Sequence, residues 1–302
     1  MGIFVETFVR ASMDALWAHT QDPDVHQRWD LRFSRIEYLP KVRPEEPQRF
    51  RYATRMGFGL AVAGVGESVA ERDLWDGGRT SSLRFSSDNP LSLIREGSGY
   101  WKYAPSAAGI RFTTWYDYRT RHGPIGAVVD RLIFRPMIGW ATAWSFDRLR
   151  IWLEQGIPPA VSARAAVVHV IARLGLAFTF AYHGIVPKLL GRDAIEVGLL
   201  LNAGVPAGGV DAALIVLGFA EIALAASLLV FWHRRWPALL GGAFAVVATV
   251  GVVLTSPQHL GSAFNPLTLN LGIACLAAID ALALPDAPNA GRCRRRPAEP
   301  ER

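Results

Sequence analysis

The apolar stretch FAYHGIVPKLLG is interrupted by His183, Pro187 and Lys188 and then continues. A further intruder, Glu221, lies inside VDAALIVLGFAEIALAASLLVFW. An imidazole, an ammonium and a carboxylate on separate apolar segments are groups that handle protons or hold a polar ligand where water is scarce. A low-dielectric surrounding magnifies each charge, and ionisable side chains inside a membrane are costly enough to turn away from lipid. Pro187 adds an acceptor, because a proline inside a helix frees a carbonyl one turn earlier.

The elements that must position these groups are membrane helices. A span takes about 20 apolar residues, and four runs supply it: about 168–187, 210–232, 237–255 and 266–284. Glu221 falls near the centre of the second, about 16 Å from either end at the helical rise. If the first span starts near Val168, His183 sits at the outer surface. If Arg173 marks its inner boundary, His183 lies at the depth of Glu221. Asn265 is placed to cap the fourth helix and Pro266 suits its first position, with Asn270 one turn on. Small residues such as Gly218, Ala225, Gly241, Gly242 and Gly251 allow helices to approach closely.

Basic residues cluster between the second and third runs (Arg234, Arg235), before the first (Arg148, Arg150, Arg164) and in the tail (Arg292 and Arg294–Arg296). The positive-inside rule then puts both termini in the cytoplasm, in agreement with an even number of spans. The Arg-dominated, Ala- and Gly-rich composition fits a GC-rich bacterial genome, so the expected location of these spans is the bacterial cytoplasmic (inner) membrane. The net charge of +6 is scattered and forms no stripe, which argues against a nucleic-acid partner. Two cysteines without a CxxC pair support no metal site and no dithiol centre.

The segments RLGLAFTFAYHGIVPKLLG, GFAEIALAASLLV and FNPLTLNLGIACLAAI resemble a DoxX-like four-helix membrane protein. Some members of the parent family resemble a small subunit of a thiosulfate:quinone oxidoreductase, so the resemblance implies a quinone as one ligand class. It also implies that His183, Lys188, Glu221 and Asn265, with Asn270, share a polar face.

Residues 1–157 read differently. IFVETFVRAS alternates as a strand, and two short helices follow, the second capped by Asp22 with Pro23 at its first position. Strands are predicted at about 33–40, 48–56, 61–73, 79–86, 93–104 and 109–121, then a long helix that Pro136 kinks. The last strand, GIRFTTWYDYRTR, puts Ile110, Phe112, Thr114, Tyr116 and Tyr118 on one face. This order, with DVHQRWD and the closing LIFRPMIGWATAWSFDRLRIWLE, resembles the SRPBCC or START-like helix-grip superfamily, which includes polyketide cyclase-like proteins. The resemblance implies a cavity between sheet and helix, with Phe112, Thr114, Tyr116 and Tyr118 as ligand-binding candidates. Glu67, Glu71, Asp73, Asp117, His26 and His122 match no catalytic spacing and read as solvated or packing groups.

The expected architecture is therefore an α+β helix-grip domain (an antiparallel sheet wrapped on a long helix) over 1–157, a stiff linker over 158–165, an all-α four-helix transmembrane bundle over 166–285, and a basic disordered tail over 286–302. The functions it suggests are binding or sensing a lipid-like or polyketide-like molecule, then quinone-linked redox chemistry, then small-molecule transport. Besides the bilayer and a hydrophobic small molecule, a homo-oligomer or a redox partner is an open expectation. No resident cofactor is expected outside the quinone alternative.

Overall fold

Alternation of apolar and polar residues over IFVETFV makes Ile3–Val9 a strand (β1) whose odd positions are buried. Ser12 then caps α1, Met13–Gln21, by accepting from the Ala15 N–H at 3.2 Å. Asp22 caps α2, Pro23–Trp29, as expected from its Asp-Pro start. Six strands follow: β2 Arg35–Tyr38, β3 Arg49–Gly57, β4 Leu60–Asp73, β5 Arg79–Ser86, β6 Ile94–Ser106 and β7 Gly109–Thr120. They form one antiparallel seven-stranded sheet in the order β1-β7-β6-β5-β4-β3-β2, in which β1 closes back beside the last strand. This computed structural model describes residues 2–43, 45–57, 59–263 and 265–297.

Against the sheet lies a helical stretch over 123–155. It comprises α3, Gly123–Val129, a π-helical turn Asp130–Phe134, and α4, Arg135–Gln155. The π turn precedes Pro136, which lacks an N–H and crowds the carbonyl four residues back; the extra residue per turn relieves both. It also turns Asp130 and Phe134 inward, where the Tyr118 hydroxyl donates to Asp130 at 2.6 Å and the Phe134 ring meets the Tyr118 ring edge-on. Trp29, Tyr103, Phe112, Phe146 and Leu149 form the core of this unit. This is the helix grip.

Two differences from the sequence reading appear at the joints. Helix α5, Pro159–His183, begins only three residues after α4, so most of the expected linker is helical. With the π-helical continuation Gly184–Leu190, the first apolar helix runs over Pro159–Leu190, longer at its start than predicted. The expected disordered tail is ordered over 288–297 and belongs with the grip. The Asn289 N–H and the Arg292 guanidinium donate to the buried Asp147 carboxylate at 2.7 and 3.2 Å. Cys293 is buried in the same core. Arg294 exchanges backbone hydrogen bonds with Glu6 on the outer edge of β1. Residues 298–302 of that expectation lie outside the described residues.

The second unit spans 164–287. After Leu190 come α6, Ala194–Asn202, then α7, Val210–Val230, α8, Trp236–Thr255, and α9, Pro266–Ala283. Asn265 caps α9 through the Thr268 N–H at 2.9 Å. Among the described residues, four helices are long and apolar enough to cross a membrane: Pro159–Leu190, Ala207–Val230, Trp236–Thr255 and Pro266–Ala283. Leu176, Phe180, Leu228, Ala245 and Ala277 meet at their centre. Glycine sets the approach of two of them: a Cβ on Gly184 would strike the Gly218 carbonyl of α7 at 2.6 Å.

Candidate functional site

In the membrane unit, Pro187 sits inside the π-helical turn that ends α5, and the turn carries Lys188 inward. The Lys188 ammonium lies 3.0 Å from Glu196 Oε1 and 3.1 Å from Glu221 Oε1. Lys188 and Glu221 are both buried, and Glu221 Oε2 has no hydrogen-bond partner. Charge counting gives one cation against two carboxylates when all are ionised. A buried pair of that kind, with Glu196 half-buried beside it, can hold a proton or a polar ligand group at its free oxygen.

The DoxX-like resemblance implied one polar face for Lys188 and Glu221, and the structure brings the two side chains into contact. It did not foresee Glu196, which a short helix, α6, swings back over the site; an Asp193 N-cap starting that helix was the available signal. His183 stands at the end of α5, half-buried, with its ring beside Tyr182. The next residue, Gly184, faces Glu221 and Ile222 of α7, so His183 is level with the middle of α7. That is the depth of Glu221 itself. Asn265 spends its side-chain oxygen on the α9 cap, and Asn270 is half-buried on the same helix.

Arg173 is the centre of a second buried cluster. Its guanidinium donates to Asp280 at 3.1 Å (Nε to Oδ1) and 2.7 Å (Nη2 to Oδ2). It also donates to the carbonyls of Leu228, Phe231 and Arg234, satisfying the orphan end of α7. Nδ1 of His169 approaches Asp280 to 2.7 Å without hydrogen-bond geometry, and the ring meets Trp232 edge-on. Asp280 was legible as the lone acid of an apolar run, but its partner lies 107 residues away.

In the grip, the register places Phe50, Gly66, Phe85, Gly97 and Tyr118 in one row across β3 to β7, all on the inner face. Rings therefore alternate with glycines. A Cβ on Gly97 would sit 2.5 Å from the Phe85 ring, and one on Gly66 would strike Phe50. At this end Phe33, Tyr52, Leu83, Phe85, Ile94 and Phe134 are only half-buried. At the other end the inner face is closed: Phe112 stacks on Tyr103 and Phe146 at 4.9 and 4.4 Å. Of the four predicted cavity residues, Phe112 and Thr114 thus belong to sealed core, while Tyr116 and Tyr118 stand at the boundary of the half-open end.

That boundary carries charge. Arg32 binds the buried Asp30 carboxylate through two hydrogen bonds, 2.9 and 2.6 Å, and lies 5.5 Å from the rings of Phe33 and Tyr116. His26 Nε2 reaches Asp30 at 3.0 Å, and its ring stacks on Trp29. Burial disfavours ionised Asp30, but Arg32 and His26 outweigh it and hold the carboxyl well below the usual carboxylate range. Burial also lowers the His26 pKa from 6.5, against the pull of Asp30. His26 does pack on Trp29, as its sequence context suggests, but it also closes a buried charge cluster with Asp30 and Arg32 that no local spacing signals. Asp73 is exposed and pairs with Arg79, whereas Asp117 is half-buried and pairs with Arg135, which also holds the buried Asp130.

A pH dependence follows. Because His26 is harder to protonate folded than unfolded, the unfolded chain gains the proton first as pH falls through 6.5. Its contribution to stability is present above 6.5 and is lost towards the lower folded value. Thermal unfolding followed by tryptophan fluorescence between about pH 7.5 and 5.5 should show a falling midpoint that flattens in His26→Gln. An identical fall in that variant would assign the effect elsewhere.

These two units define a class of protein: an α+β helix-grip domain joined to an all-α bundle of four membrane-length helices. The DoxX-like family matches residues 177–278, the heart of that bundle. The chain is also 46% identical over 202 residues, 66% of its length, to an uncharacterized membrane protein, YndG, of Bacillus subtilis (strain 168), covering 75% of that protein. This chain is a membrane protein of the same family as YndG, and its bundle is a DoxX-like domain. Its grip half is similar to solved structures at low identity. One is a STAR-related lipid transfer protein from Xanthomonas axonopodis (18% identity, 49% of this chain and 82% of that one, TM-score 0.38). Another is the Zhui aromatase/cyclase from Streptomyces sp. R1128 (15%, 50% and 96%, TM-score 0.34). The fold itself is read from the strand order and the gripping helix.

Proposed function

We propose that this membrane protein uses its helix-grip domain, held on the cytoplasmic side of a bacterial cytoplasmic membrane, to bind or sense a lipid-like or polyketide-like molecule. The observation that carries the reading is the half-buried, aromatic and glycine-lined end of the sheet with Arg32 beside Phe33 and Tyr116 at its boundary. Alternating rings and glycines give flat apolar walls, and a paired guanidinium can turn one donor to an oxygen-bearing head group. Tyr116 and Tyr118 are the residues of the original set that face such a molecule.

A second reading is favoured by one observation, the buried Lys188–Glu221 pair with Glu196 half-buried beside it and a Glu221 oxygen left over. It is a quinone-linked membrane subunit in which Glu221 and His183 handle protons and a partner supplies electrons.

One experiment addresses both. The full-length chain is purified in mild detergent and its bound small molecules are identified by mass spectrometry, together with Leu83→Trp, which fills the half-open end, and Glu221→Gln. The expected result is a lipid-like species retained by the wild type and by Glu221→Gln and lost in Leu83→Trp. A quinone lost only in Glu221→Gln would replace the first reading by the second. No retained species, even after incubation with a broad lipid extract, would sink both.

A further inference from the structure

The helical stretch over 123–155 grips the sheet with one side only. Along its other side, large apolar residues recur every three or four positions and remain open: Ile125, Val128, Val129, Leu132, Ile133, Met137 and Trp140. Ile125 is 76% exposed, Leu132 69% and Ile133 63%. Scattered exposed leucines need no explanation, but seven in one continuous stripe do. The stripe ends in a ladder of Trp140 stacked on Trp144 at 6.3 Å, with the Arg148 guanidinium 5.4 Å from the Trp144 ring.

Charge narrows the partner. The acids of this stretch up to Arg150, Asp130 and Asp147, are buried and paired with Arg135, Arg150 and Arg292. The charge left on the open side is Arg131, in the middle of the stripe and exposed. An apolar stripe with a basic residue and a tryptophan pair is the pattern of a helix lying in a lipid interface. The apolar face enters the acyl boundary, the guanidinium reaches the head groups, and tryptophan sits between them. Connection supplies the bilayer. Helix α4 ends at Gln155, and the first membrane-length helix opens at Pro159. The link of three residues spans about 10 Å at most.

We infer that the face of α3, the π turn and the start of α4 is a second membrane contact, a monotopic surface that rests on the anionic inner face of the bilayer. The inference stands on exposure, charge and connection, and holds whether or not the grip binds a ligand. A stripe that rests on lipid limits how the tethered domain can turn.

The test uses the full-length chain in nanodiscs of phosphatidylcholine with or without phosphatidylglycerol. Leu132 or Met137 is replaced by photoreactive benzoylphenylalanine, with Lys102 on the outer face of the sheet as control. These side chains are exposed, so the fold tolerates the change. After irradiation, mass spectrometry should find phospholipid adducts at Leu132 and Met137, more with phosphatidylglycerol, and none at Lys102. Cross-links from these positions to a second copy of the chain, or to residues 164–287 of its own, in place of lipid would overturn the inference. So would labels quenched by solvent alone, or equal lipid adducts at Lys102.

Discussion

Asp280→Ala should cost the membrane unit about 3–5 kcal/mol, the loss expected when one partner of a fully buried ion pair is removed. Arg173 and Asp280 have no exposed side-chain surface, and Arg173 is ringed by Asp280 and three backbone carbonyls. Without the carboxylate the guanidinium remains buried, still bound to the end of α7 but with no counter-charge. Asp280→Asn keeps one acceptor oxygen and should fall between wild type and alanine. Arg173→Lys should fare nearly as badly as a deletion, because an ammonium cannot fork to a carboxylate and reach the α7 carbonyls together. The double variant Arg173→Met, Asp280→Met should regain part of the loss, since no lone charge is left. Unfolding in detergent reads all four. A loss below about 0.5 kcal/mol for Asp280→Ala, the size of an ordinary surface change, would mean that the pair is not a structural tie.

The same pair illustrates what a sequence can disclose. The grip strands were legible within one or two residues at most ends, because alternation in stretches such as IFVETFV and GIRFTTWYDYRT is a local property of a half-buried sheet. The four membrane-length helices were legible from length and apolarity alone. Pairing is not local. Arg173 and Asp280, or Lys188 and Glu221, acquire meaning only when bundle geometry brings distant turns together. The tail misled for a related reason. Its Pro- and Arg-rich composition has the character of disorder, yet Asn289, Arg292 and Cys293 find a buried acid and a core already built by residues 142 or more positions earlier. The expected cavity set was half informative: alternation gives the face of Phe112, Thr114, Tyr116 and Tyr118, but which end is sealed depends on Phe146 from the gripping helix.

Lys188→Met should destabilise the bundle by about 3–5 kcal/mol, since it strands Glu221 and Glu196 without their common cation. Adding Glu221→Gln to that variant should recover at least half of the loss, and the cycle of single and double variants isolates the coupling. The informative member of the cycle is Glu221→Gln alone. In the wild type Lys188 serves two carboxylates while Glu221 Oε2 has no partner. Replacing that carboxylate by an amide removes the surplus negative charge and keeps the shape. The expected result is therefore little loss of stability, or a gain, read by thermal unfolding in the same detergent. A loss as large as that of Lys188→Met would make the trio a structural tie, comparable to Arg173 with Asp280, and would leave the quinone-linked reading without its motive. A neutral or stabilising amide would mean that the buried charge is kept at a cost that packing does not require. The free oxygen would then be the place to look for a proton or a bound ligand.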